Sequence, residues 1–443
     1  MNLIVIISFS ILLLSFYYLL LKNTVFGLSP RTGNYVGFFM FYNLIMFIIP
    51  SSIFLNLFPI TGFWVAFKVE QESVFWITYL ILISMFLFFL ALKIISITSK
   101  NYLYLRKIDT NVNKYNIKFF MWFTTSICLL TIIFVWIFMG VGHSFSLAIT
   151  NDLSLSTIRS ELKANSSIKG LRHLFILIVP FLSAILASNV YKNNNIERTI
   201  LFIIILTIST WGGSKGPVLT MFIVYFISYS TFNNLKINLK LFFQLLMFIL
   251  LLLFLVYNIV LLQYSHMTDI SVFLDYFYQR VFIAQMIGVY EEFNLWIHNI
   301  EYIWHGVPFA SSFVDYSIFH KDLMMISEDR TDPSTIGIKN TLFIAEAYAM
   351  GGWLLVLVSP IWIALNMTLT YIFIVYIMNK LVFNSLEYTK RIVAIALFSY
   401  ISITGGFSDL MFFKITIMIT ILLSPFLLSF YFLKNLKQIK EQK

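Results

Sequence analysis

The stretch Val74 to Ile97 runs VFWITYLILISMFLFFLALKIISI, twenty-four residues that carry a single charge, Lys93. A helix rises about 1.5 Å per residue, and about 20 apolar residues cross the roughly 30 Å hydrocarbon core of a bilayer, so this segment is long enough to span one. Working outward from it, apolar runs recur at about 3–21, 36–57, 119–140, 174–190, 199–211, 217–231, 241–263, 350–378, 392–404 and 415–433. Of the 443 residues, 60% are hydrophobic and only 11% charged, with a mean hydropathy of +0.87. Soluble domains carry about 25% charged residues, so a water-exposed fold is excluded. The expectation is an all-α, polytopic integral membrane protein of about 11 (10–12) transmembrane helices, forming a single transmembrane domain over residues 1–443. Met1 to Leu21 has no basic start and no small-residue cleavage site, and it runs directly into Lys22; it is expected to be the first span and not a removable signal.

Charge orients these spans. With the N-terminus outside, Lys22, Arg31, Lys93, Lys100 to Lys118, Lys192, Arg198, Lys236, Lys240, Lys380, Lys390, Arg391 and Lys434 to Lys443 share one face, which totals +15 against −5 on the other. The positive-inside rule makes the first face cytoplasmic. This topology accounts for the net charge of +10, and no Lys/Arg block with interleaved aromatics points to nucleic acid. The single cysteine, Cys128, excludes an intramolecular disulfide and a cysteine-based metal cluster. Two larger loops are expected outside: a first periplasmic loop at 141–172 and an acidic loop at 264–349, the latter folding as a cap of short helices.

Two runs are too short to cross. Ile200 to Trp211 has 12 residues, about 18 Å of helix, and ends in Gly212-Gly213-Ser214-Lys215-Gly216-Pro217. Ile392 to Thr404 ends similarly in Gly405-Gly406-Phe407-Ser408-Asp409. Irregular backbone at that depth is tolerated only where it is buried in protein or lines a wet cavity. An outward-facing pocket with Lys215 and Asp409 near its floor is therefore expected. The Lys215 turn lacks P-loop spacing but offers a cation and backbone N–H groups at a helix start, an anion site. In the first loop, Arg159 and Lys163 stand at i, i+4 and share a helical face able to grip a pyrophosphate; Glu161 lies between them and Arg172 follows. Arg280 is a lone cation in an aromatic, acid-rich stretch, with Arg330 further along the same loop. The run from Asn340 to Gly352 carries one acid, Glu346, in apolar surroundings, where desolvation would favour a general base. His143, His173, His266, His298, His305 and His320 show no metal-ligand spacing, and each reads individually as structural.

In this combination the chain resembles the bacterial O-antigen polymerases, the Wzy family of lipid-linked oligosaccharide repeat-unit polymerases. The resemblance lies in about a dozen spans, two arginine-bearing external loops, the Gly213 to Gly216 turn, the Glu346 to Gly352 run, and an Arg, ten residues, Gly pattern matched by Arg159 and Gly170. The counterpart of that pattern in the second loop is absent: Glu291 and Thr341 stand eleven positions after Arg280 and Arg330. The resemblance implies lipopolysaccharide biosynthesis at the bacterial inner membrane, with the active site facing the periplasm. A growing glycan would be transferred from undecaprenyl pyrophosphate to the non-reducing end of a new lipid-linked repeat unit. Catalytic roles then fall to Arg280, Glu346 and Glu161. Substrate binding falls to Arg159, Lys163, Arg172, Lys215, Arg330, Asn340 and Asp409. The implied partners are the undecaprenyl-pyrophosphate-linked oligosaccharide, membrane lipids and a chain-length regulator, with no nucleic acid. No cofactor or metal is implied, because the energy lies in the pyrophosphate linkage. Two alternatives stay open: an O-antigen ligase, which shares the donor, and a lipid-linked oligosaccharide flippase.

Overall fold

Every regular element among the described residues is helical. The computed structural model describes residues 2–107, 112–139, 166–212, 215–236, 244, 247, 251, 270–331, 338–401, 403 and 406–441. The main helices are α1 (Asn2–Leu21), α2 (Phe38–Leu57), α3 (Gln71–Thr98), α4 (Lys114–Met139), α5 (Ser166–Leu186), α6 (Asn195–Thr210), α7 (Lys215–Phe232), α8 (Ile270–Tyr278), α9 (Ile287–Leu295), α10 (Phe319–Ser327), α11 (Phe343–Met378), α12 (Leu386–Tyr400), α13 (Phe407–Met411) and α14 (Lys414–Glu441). Among the described residues five segments are long and apolar enough to cross a membrane: Leu3–Leu21, Phe38–Leu57, Gln71–Thr98, Lys114–Phe138 and Phe343–Phe383. The other apolar runs coincide with shorter helices, except 241–263, which falls almost wholly outside the described residues. The protein is thus a helical membrane protein. Its outer surface agrees: Ile4, Leu19, Phe138 and Leu354 are each at least 70% exposed, an arrangement that water would penalise and lipid does not.

Because lipid is as apolar as the side chains, helix association there depends on close packing and on satisfied polar groups. The hydroxyls of Ser96, Thr125 and Ser183 donate to carbonyls four residues earlier in their own helices, at 2.6, 2.8 and 2.7 Å. Ser228 of α7 reaches across to the Ala184 carbonyl of α5 at 2.6 Å. Helix α12 is buried on all sides from Tyr388 to Phe398, enclosed by α5, α7 and α11. Continuous burial, and not lipid exposure, explains why its apolar run is short.

Connecting segments gather at two ends. At one, the loops after α1 and α3 meet the start of α12. Lys390 Nζ donates to the carbonyls of Asn101 and Tyr104 at 3.1 and 2.6 Å, and Arg391 donates to the Arg106 carbonyl at 2.6 Å. At the opposite end, residues 58–70, the short helices α8 to α10 and the turn holding α13 come together. There the Trp64 and Phe67 amides donate to Gln279 and Glu291 at 2.9 and 3.2 Å. The short helices expected between 264 and 349 are present. Helix α11 starts earlier than its apolar run, at Phe343, and bends where Gly351 (φ −153°, ψ 22°) and Gly352 (φ 61°, ψ −155°) leave helical geometry. Only glycine reaches the second conformation readily. The bend detaches a buried first segment, Phe343 to Met350, from the long lipid-facing remainder.

Candidate functional site

Glu346 lies on that detached segment, fully buried. Both carboxylate oxygens are occupied: Oε2 accepts the Ser408 amide at 2.8 Å, and Oε1 accepts the Ser408 hydroxyl at 3.1 Å and forms an ion pair with His320 Nε2. Ser408 is presented by α13, and His320 by the first turn of α10, where the Lys339 amide ties down its carbonyl at 3.2 Å. A second histidine, His305, stands on the turn Ile303–Gly306. Its carbonyl accepts Lys414 Nζ at 2.5 Å, and Lys414 also faces Asp409 at 3.5 Å. This turn packs so closely on α13 that a Cβ at Gly306 would sit 3.1 Å from the Ser408 carbonyl. Nδ1 of both His305 and His320 is buried and has no hydrogen-bond partner.

The two imidazoles are driven in opposite directions. Burial opposes a charge on His320, but the facing Glu346 carboxylate outweighs it and raises the pKa above the ordinary imidazole value. For His305, burial and then the nearby Lys414 ammonium lower it. One ring is therefore pushed toward the imidazolium and the other toward the neutral base. Neighbouring titratable groups pushed apart in this way mark an acid and base assignment. With Lys414, the cluster joins an ammonium, two imidazoles pushed in opposite directions and two carboxylates, buried Glu346 and Asp409, whose side chain is 47% exposed.

The residues expected from the sequence divide clearly. Glu346 and Asp409 fall in this cluster, and Lys215 opens α7, with its side chain outside the described residues. Glu346, expected with Glu161 as a candidate base, has both oxygens engaged by Ser408 and His320. Arg159, Glu161 and Lys163 lie outside the described residues, as does the side chain of Arg172, a residue of α5. Arg280 sits on a π-turn, Gln279–Ile283, exposed and without an ion-pair partner among the described residues; neighbouring Asp275 accepts Gln279 Nε2 instead. Asn340 is exposed and donates to Gln285 at 2.7 Å. Arg330 belongs to a latch: it bonds Glu328 at 2.9 Å, while Lys339 joins Glu291 at 2.9 Å and Glu328 at 3.5 Å, beneath the Phe67 ring. His305 and His320 read individually as structural in the sequence, and Ser408 and Lys414 were given no role there, since their segments meet only in three dimensions. No group of three or more His, Cys, Asp or Glu side chains able to hold a metal occurs among the described residues.

One further acid stands nearby. Glu292 of α9 is fully buried, and neither carboxylate oxygen has a partner. Burial pushes its pKa up to about 9, so at neutral pH it carries its proton. Comparison with protein-family models, characterised proteins and solved structures finds no match.

Proposed function

We propose that this protein is an inner-membrane glycosyltransferase of about eleven spans that polymerises lipid-linked oligosaccharide repeat units on the outer face of the membrane. The observation that carries this reading is the pair of half-buried imidazoles pushed in opposite directions, His305 beside Lys414 and His320 against Glu346. In the transfer, an acceptor sugar hydroxyl attacks the anomeric carbon of the donor glycan. The new C–O bond forms as the bond from that carbon to the pyrophosphate oxygen breaks. Neutral His305 takes the hydroxyl proton. The departing undecaprenyl pyrophosphate gains negative charge, which the His320 cation and the Lys414 ammonium meet in a site shielded from water. Glu346 keeps His320 charged and oriented. Arg280, exposed and free of an ion pair, remains available to a second phosphate. The end that bears Lys390 and Arg391 would then face the cytoplasm, in line with the positive-inside rule.

The test is the surface glycolipid profile of a strain deleted for the gene and complemented with wild type, His305→Ala or His320→Ala. A core bearing one repeat unit in the deletion, with a ladder restored by wild type and not by the variants, supports the polymerase. A core with no repeat unit in the deletion would replace it by the ligase or flippase, and an unchanged ladder would remove all three.

A further inference from the structure

At the opposite end of the molecule from the histidine cluster lies a polar cavity of about 350 Å³, lined by Asn23, Thr32, Gly33, Asn34, Leu105, Lys107, Asn189, Thr231, Phe232, Asn234 and Arg391. That volume falls within the roughly 300–1,000 Å³ of small-ligand sites. The lining is built from separate connections whose positions are fixed by hydrogen bonds. Leu105 N donates to the Asn23 carbonyl at 2.8 Å, the Tyr35 hydroxyl to the Leu235 carbonyl at 2.8 Å, and Asn189 Nδ2 to the Phe232 carbonyl at 3.2 Å. Three lining residues hold left-handed backbone: Asn23 (φ 67°), Gly33 (φ 72°) and Asn234 (φ 49°). A Cβ at Gly33 would stand 2.7 Å from the Asn234 backbone, so this wall closes only with glycine there. Such conformations cost energy and concentrate where a site is being shaped.

The chemistry of the wall is specific. Arg391 is largely spoken for: its guanidinium donates to the Arg106 and Glu387 carbonyls at 2.6 and 3.1 Å and faces the Glu387 carboxylate at 3.6 Å. Lys107 is exposed and has no partner among the described residues, so its positive charge faces the cavity. Among the described residues the side chains of Asn23 and Asn234 are likewise without a partner, and each amide offers donors beside an acceptor, the pattern that reads a hydroxyl. No acidic side chain is among the described lining residues. Asn23 and Asn234 follow the ends of α1 and α7 by two residues, and Arg391 lies in the second turn of α12, so the cavity opens at the level where helices leave the hydrocarbon. Basic pockets between helix ends at that depth take anionic head groups.

We infer that this cavity binds a singly charged phosphate ester bearing free hydroxyls, such as the head group of phosphatidylglycerol: the phosphate meets Lys107 and the hydroxyls meet Asn23, Asn34 and Asn234. A choline head group brings a cation that nothing in the lining offsets, and it is excluded.

The experiment uses the full chain, purified in detergent and stripped of lipid. Its binding of short-chain dihexanoyl phosphatidylglycerol, dihexanoyl phosphatidylcholine and the soluble diester glycerophosphoglycerol is followed by native mass spectrometry and thermal shift. The phosphatidylglycerol should bind and the phosphatidylcholine should not. Lys107→Glu should weaken binding by about tenfold or more, a loss of about 1.4 kcal/mol, while Lys100→Glu, exposed at the same end but outside the cavity, should leave it within about twofold. Tighter binding of the lipid than of glycerophosphoglycerol, the soluble diester that carries the same single charge and hydroxyls, identifies a membrane occupant; equal binding identifies a soluble polyol phosphodiester with the same chemistry. Equal retention of phosphatidylcholine, or equal effects of Lys107→Glu and Lys100→Glu, would overturn the inference by reducing it to the general field of a basic surface.

Discussion

Replacing Glu292 by glutamine removes a proton that the folded protein is obliged to keep. The carboxyl has an ordinary pKa of 4.5 when exposed and one of about 9 in the fold, where both oxygens are buried without partners. Each unit of difference is worth about 1.4 kcal/mol, and the linkage has a definite sign. A raised folded pKa contributes stability that is fully present below 4.5 and is lost as pH rises toward 9. At pH 7 the fold has given up about 3 kcal/mol of it. Glutamine has nearly the same shape and does not titrate, so the stabilities of variant and wild type should move apart as pH rises. With an unfolding entropy of about 2 cal/mol/K per residue over 443 residues, about 3 kcal/mol corresponds to a relative rise in Tm of about 3 °C between pH 4.5 and pH 7. Thermal unfolding followed by tryptophan fluorescence in detergent at pH 4.5, 7 and 8.5 measures it. The amide adds its own unsatisfied donors, but that offset is independent of pH, so the decisive quantity is the slope. Parallel stability curves for the two proteins would refute the reasoning, because they would mean that Glu292 is ionised in the fold and matched by a charge the structure does not place beside it.

Four further outcomes follow from the geometry. His320→Gln should reduce polymer formation by about 100-fold or more while leaving the protein folded, assayed on purified lipid-linked substrate; near wild-type rates would remove His320 from the chemistry. The rate should fall in acid as His305 takes up a proton and fall in alkali as His320 loses one, with the two limbs displaced below and above the ordinary imidazole value; a flat profile in His305→Ala and wild type alike would contradict the assignment. Lys339→Ala leaves buried Glu291 without its cation and should cost about 3–5 kcal/mol, whereas the double change Lys339→Met and Glu291→Met should recover much of it, read by thermal unfolding. Gly352→Ala meets no atom within 4 Å, so its cost of about 1–3 kcal/mol should be purely conformational, and an unchanged Tm would show that the bend is not required.

The helices were legible because lipid imposes long apolar runs, and α3 and α4 follow theirs within a few residues. Helix α11 was less so: the Gly351-Gly352 pair was visible, but that the helix begins before it, at Phe343, depends on Phe343 to Met350 being enclosed by protein instead of lipid. Glu346 could be singled out as one acid in an apolar run, since burying an ionisable group is costly enough to stand out. Its partners could not. His320 and Ser408 come from segments dozens of residues away from it on either side, and no spacing rule connects a histidine in an acidic loop to a serine after a glycine pair. Arg280 was notable for its aromatic setting, yet the arginine itself is exposed beside half-buried rings, and its placement relative to a phosphate depends on a bound donor.

The enclosure of α12 bears on how the chain is made. With fifteen residues and Glu387, Lys390 and Arg391 in its opening turns, α12 lacks the length and apolarity of the five segments able to cross a bilayer alone. Emerging late from the ribosome, it offers the insertion machinery no self-sufficient signal. What receives it is already in place: the Asn101, Tyr104 and Arg106 carbonyls that accept its cations, and the surfaces of α5 and α7. Membrane entry of α12 is thus conditional on helices synthesised long before it. Truncations or substitutions in α5 should therefore be felt as failed integration of the C-terminal region, detectable by accessibility mapping of residues 386–400, before any loss of catalytic function is measured.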